Sequence, residues 1–318
     1  MRIAAYSLRQ LLATSAASAA LTLGLAAPAG AYLRDVQVYA PTIRSHTGTL
    51  SFTCPGGKLL MGIGADINVI AAGGLALNRL GMVANRTDIH ALETDPVGGV
   101  WSVSGQGFCS GYTDSPPTAA TGGPYLKDPI VATGATASSS LSPKSATASC
   151  GGRRVIGGGF HLFGARPGNF PPPHLAADRA ESSAINSFGA TAHETQATGA
   201  NWGIQAVAIC ANYTDPVPGP IYAATALIYT STTPASSGNK NTASGCPQNF
   251  VLIGGGARVL GASPGAAPPS QVVLTSSEPE PGGGRGRLWF AAAAEEDPTA
   301  AAWRLDTTAV CAPLVSPS

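Results

Sequence analysis

Three segments of the chain alternate large apolar residues with small or polar ones and end on a cysteine: GVWSVSGQGFC, NWGIQAVAIC and AWRLDTTAVC. Alternation of period two marks a strand with one face buried. Each segment has an upstream companion, CPGGKLLMGIGADI, CGGRRVIGGGFHL or CPQNFVLIGGGARVL, in which a short loop leads into an apolar run and then glycines. None of these runs carries a helical stripe, and a glycine inside a helix costs about 1 kcal/mol relative to alanine. In a strand, glycine instead permits a bulge or the close approach of another backbone. The pattern predicts strands from end to end, five or six per repeat.

The similarity of the segments is a true internal repeat. Cys54, Cys150 and Cys246 are spaced by 96 residues, and Cys109, Cys210 and Cys311 by 101. Trp101, Trp202 and Trp303 each lie eight residues before the second cysteine of their unit, and Glu93, Glu194 and Glu295 lie eight residues before each Trp. The units run over 32–116, 123–216 and 219–315, with proline-rich joints between them. The expected fold is all-β, with three tandem antiparallel repeats of about 95 residues built as small sandwiches or as a pseudo-threefold β-prism. Six cysteines allow 15 pairings. Only pairing within units, or a cyclic exchange between neighbours, respects the repeat. We expect one disulfide in each unit.

Ahead of the first unit, Arg2 and Arg9 precede an apolar stretch from Leu11 to Leu25, and Ala29-Gly30-Ala31 supplies small residues for cleavage. This is the form of a bacterial-type secretory signal over residues 1–31, and it predicts a secreted protein in which disulfides persist. No later apolar run is long enough to span a bilayer, so no integral membrane segment is expected after signal cleavage. Setting Arg2 and Arg9 aside leaves 16 basic side chains against 17 acidic ones. A balanced surface gives no electrostatic reason for nucleic acid as a partner. The 40 Gly and 26 Pro suit short strands and many turns.

The candidate chemistry is sparse. Glu93, Glu194 and Glu295 could accept hydrogen bonds from sugar hydroxyls at three related sites, or could end strands by bonding the following turn. Trp101, Trp202 and Trp303 are expected to be core residues beside the disulfides. The inserts between the glycine stretch and the Glu differ from unit to unit, and such inserts often build a binding face. They single out Arg166, Asn169, Phe170 and His174. The five histidines do not repeat and no HExxH or CxxC spacing occurs, so no metal site and no cofactor are expected. Glu278 with Glu280, and Glu295 with Glu296 and Asp297, are close enough in sequence to suggest glycoside hydrolysis. Their Pro, Gly and turn surroundings predict ordinary solvated carboxylates. No GxSxG elbow is present.

These readings favour a secreted non-catalytic binding protein, carbohydrate-binding in the manner of a lectin, with a glycan or cell-surface component as its partner. A structural or protein-interaction part of the cell envelope is the alternative. A hydrolase with an unrecognised site comes third.

Overall fold

A computed structural model describes residues 32–40, 48–69, 74–83, 86–94, 99–113, 126–165, 171–213, 227–280 and 287–313. Residues 1–31, over which a secretory signal is expected, and Arg166, Asn169 and Phe170 lie outside the described residues. Unit 1 supplies β1 (Tyr32–Tyr39), β2 (Thr49–Leu50), β3 (Leu59–Val69), β4 (Leu75–Val83), β5 (Arg86–Glu93) and β6 (Trp101–Thr113). Unit 2 supplies β7 (Leu126–Ala135), β8 (Lys144–Ser149), β9 (Arg154–Phe163), β10 (Leu175–Ala184), β11 (Ser187–Glu194) and β12 (Gly203–Tyr213). Unit 3 supplies β13 (Leu227–Thr232), β14 (Lys240–Gly245), β15 (Phe250–Gly261), β16 (Val272–Pro279), β17 (Leu288–Glu295) and β18 (Trp303–Pro313).

The units do not form separate sandwiches. Hydrogen-bonded order runs β14-β17-β16-β3-β6-β1, then β7-β12-β9-β4-β5-β2, then β13-β18-β15-β10-β11-β8. Each six-stranded set therefore takes three strands from one unit and three from another. The first two sets touch at one register pair, Tyr32 with Lys127. The joins between units are short antiparallel pairings: β16 with β3, β4 with β9, and β10 with β15. Unit 3 thus closes on unit 1, and the three faces make a pseudo-threefold prism.

The centre shows why glycine recurs. Met61, Ile156 and Ile253 occupy equivalent positions and share one buried cluster, while Ala76, Ala176 and Val273 share another. Equivalent side chains from all three units meeting in one cluster place the pseudo-axis between them. The next position on each central strand is Gly62, Gly157 or Gly254. A Cβ on Gly254 would meet the Ile156 carbonyl and lie 3.0 Å from the Gly157 Cα. Only a missing side chain lets the three backbones converge this closely.

Each disulfide lies within its unit, Cys54–Cys109, Cys150–Cys210 and Cys246–Cys311, closing separations of 55, 60 and 65 residues. Loops of that length correspond to about 4 kcal/mol each in the chain-entropy account. Strand directions put these bonds at one end of the prism. The connections β3–β4, β5–β6 and their equivalents emerge at the other, together with those that follow β1, β7 and β13.

Candidate functional site

The loop-bearing end gathers most of the positions expected to bind. Glu93, Glu194 and Glu295 end β5, β11 and β17, opposite Leu75, Leu175 and Val272. Each carboxylate turns back into its own unit. Glu93 Oε1 accepts the Trp101 indole N–H at 2.7 Å, and Glu295 Oε1 accepts that of Trp303 at 2.8 Å. Glu295 also accepts the Gly238 N–H at 2.7 Å and the Thr299 N–H at 3.3 Å. Burial alone would raise its pKa, but these bonds together with Lys240 outweigh it and hold the carboxyl below its ordinary value. Glu194 differs, accepting from the Thr198 hydroxyl at 2.6 Å, while the Trp202 indole nitrogen is buried with no partner.

A lysine completes the arrangement in two units. Lys144 Nζ lies 4.9 Å from the Trp202 ring centroid and Lys240 Nζ 4.7 Å from that of Trp303. Each ammonium also donates to a serine hydroxyl, Ser139 or Ser236. Burial lowers both lysine pKa values, and the neighbouring Glu194 or Glu295 only partly restores them. In unit 1 the equivalent position is Gly48, whose N-terminal placement before β2 is fixed by the Ala91 N–H bond to its carbonyl at 2.8 Å. A Cβ there would lie 2.8 Å from Trp101 Cη2, so the indole occupies the space that the lysine stem fills elsewhere. Trp202 and Trp303 are core residues as expected and Trp101 is only half-buried, but all three stand at the end opposite the disulfides rather than beside them, because eight extended residues separate each from its cysteine.

His174 precedes β10 at the same end. It is partly buried, in the left-handed region with φ 61°, and its carbonyl accepts the Thr195 N–H at 2.8 Å. Gly74 and Gln271 make the same bond in the other units, to Thr94 and Glu296. His174 Nδ1 is buried without a hydrogen-bond partner among the described residues. Nearby, His193 meets Asp178 at 3.4 Å and the Ser270 carbonyl at 2.7 Å, joining unit 2 to the β15–β16 connection.

Polar clusters on the three prism faces were not foreseen, because their members come from different units. On one face Arg79 pairs with Asp88 at 2.8 Å and His90 with Asp88 at 3.1 Å. Burial, and then the Arg79 charge, bring the adjacent His161 down to about 4. On another, Arg179 and Arg258 both contact Glu181, at 3.2 and 3.3 Å, and Arg258 reaches Asp306 at 2.8 Å. On the third, Glu278 is 9% exposed. The expectation of a solvated carboxylate is therefore incorrect at this position: the chain stays in β16 through Pro279 and carries Glu278 over Gly64.

Inserts also divide between the two ends. Unit 2 is lengthened between β9 and β10 and unit 3 between β15 and β16, at the loop-bearing end, whereas unit 3 alone also adds residues between β16 and β17, at the disulfide end. Among the described residues, no three His, Cys, Asp or Glu side chains stand together as a metal-holding group, and no helix is long and apolar enough to cross a membrane. No protein-family model and no curated protein matches the chain.

Proposed function

We propose that this is an exported, non-catalytic binding protein with a glycan site at the loop-bearing end of unit 1. The observation that carries the reading is the contrast among the three tryptophans. Trp202 and Trp303 are fully buried, while Trp101, packed against Gly48, keeps part of its surface exposed. An indole offers a flat apolar surface with a polar edge, which suits the apolar face of a sugar ring. Glu93 is exposed, and a carboxylate accepts more hydrogen bonds than the one the indole supplies. Three disulfides fit the oxidising compartment that the signal segment implies.

A hydrolytic role for the repeated carboxylates has less support. Glu295 is held ionised by several donors, the opposite of what a general acid requires. Retention of the mature chain on immobilised polysaccharides, or on a glycan array, tests the proposal. One site per chain is expected, lost in Trp101→Ala and weakened in Glu93→Gln, with Trp202→Phe behaving as the parent. No retention on any glycan, together with a co-purifying protein, would favour an envelope interaction role instead.

A further inference from the structure

The prism provides its own controls, because each face repeats the same positions with different residues. The register pairs Asp66 with Ser276, His161 with Arg79, and Arg258 with Arg179. Two residues beyond the second member of each pair stand Glu278, Gly81 and Glu181. On the third of these faces, two guanidinium groups lie against Glu181. The first face keeps the carboxylate and replaces both arginines, one by Ser276 and the other by Asp66.

Glu278 consequently sits buried beside a second carboxylate. Burial, followed by the Asp66 charge, raises its pKa to about 7, and the hydrogen bond from the Gln106 amide pulls it back in part. Gln106 Nε2 donates to Glu278 Oε2 at 2.8 Å. Two further oxygens there lack partners among the described residues. Gln106 Oε1, on a side chain 5% exposed, and Ser276 Oγ, on a residue with no exposed surface, are both buried without a hydrogen bond. Ser276 and Glu278 are two apart on one strand and so share its face. Gln106 reaches that face across Gly64, its register partner.

We infer that Asp66, Glu278, Gln106 Oε1 and Ser276 Oγ form a calcium site at the seam where unit 3 closes on unit 1, with the cation standing where the equivalent face places guanidinium groups. Oxygen-only donors select hard cations, and calcium accepts irregular sets of carboxylate, amide and water oxygens at 2.3–2.6 Å. Magnesium demands near-octahedral geometry and keeps several waters, for which a seam this enclosed has little room. Histidine and cysteine spacing, the usual signature of a metal site, gives no sign of such a centre.

The test is calcium binding to the mature chain by equilibrium dialysis, with thermal unfolding in parallel at pH 8. One calcium per chain is expected, with a Kd on the order of 10⁻⁴ to 10⁻³ M, as in extracellular calcium modules. The unfolding midpoint should be higher in calcium than in EDTA. Glu278→Gln should abolish both effects. Ser276→Arg, which restores the side chain found at Arg79 and Arg179, should fold, bind no calcium and unfold at one temperature with or without it. Absence of saturable binding up to about 10 mM, tenfold beyond that range, would overturn the assignment. So would calcium binding that survives in both variants, or magnesium matching calcium in both measurements.

Discussion

A buried and a half-buried titratable group on different faces give opposite responses to pH. Glu278 has an ordinary value of 4.5 and stands at about 7 in the fold. Between those values the native protein holds a proton that the unfolded chain has released, so stability falls as pH rises through the window. Above it the full cost is on the order of 3 kcal/mol. Glu278→Gln in EDTA should therefore raise the midpoint of urea unfolding at pH 8 and change it little at pH 4. His161 runs the other way, from 6.5 down to about 4. There the unfolded chain holds the extra proton, so stability is intact above 6.5 and is lost as pH falls towards 4. His161→Gln should reduce that acid loss; an unchanged acid limb would show that His161 does not titrate in the fold as described. A third expectation concerns the Trp–Glu pairs. Glu295→Ala leaves an indole and two backbone donors unpaired and should cost about 2 kcal/mol by urea unfolding, whereas Glu93→Ala, which is exposed and holds one indole, should cost about 1 kcal/mol or less.

Among the elements, the central strands bear the tightest constraint. Gly157→Ala would drive a Cβ into the Met61 carbonyl across the pseudo-axis. We expect a loss of about 3 kcal/mol or more, read from denaturant unfolding. Gly152, in the loop before β9, has no atom within 4 Å of its would-be Cβ and no positive φ. Gly152→Ala should be neutral or stabilise by up to about 1 kcal/mol. Comparable losses at both positions would contradict the converging backbones. Much at this scale was legible in the sequence: the alternating runs are β6, β12 and β18, and the glycine-rich companions are β3, β9 and β15. Glu278 was not legible, since Pro279 and the following glycines resemble a turn and only tertiary pairing keeps the chain extended there. The lysines over Trp202 and Trp303 were hidden for a related reason. They lie 58 and 63 residues from their rings, and the repeat is broken by Gly48 in unit 1.

For the whole molecule, cysteine spacing revealed three units and their internal disulfides, yet not how the units share sheets. Local alternation specifies which side of a strand is buried and leaves its neighbour open. The neighbours across the seams are set by glycines and small residues meeting at the axis. Removed from the ring, unit 2 would lose cross-unit partners of β7, β9 and β10, so residues 123–216 alone should show no cooperative unfolding by circular dichroism, even with Cys150–Cys210 formed. The most direct test of the closed prism is a cysteine pair across the final seam. Ala65 and Ser277 are register partners in β3 and β16, at the spacing a disulfide requires. In the Ala65→Cys, Ser277→Cys double variant, non-reducing peptide mapping of the monomer should find these two positions joined and the three native bonds intact. Native bonds with both new thiols free, or joined only between chains, would contradict the closure of unit 3 on unit 1.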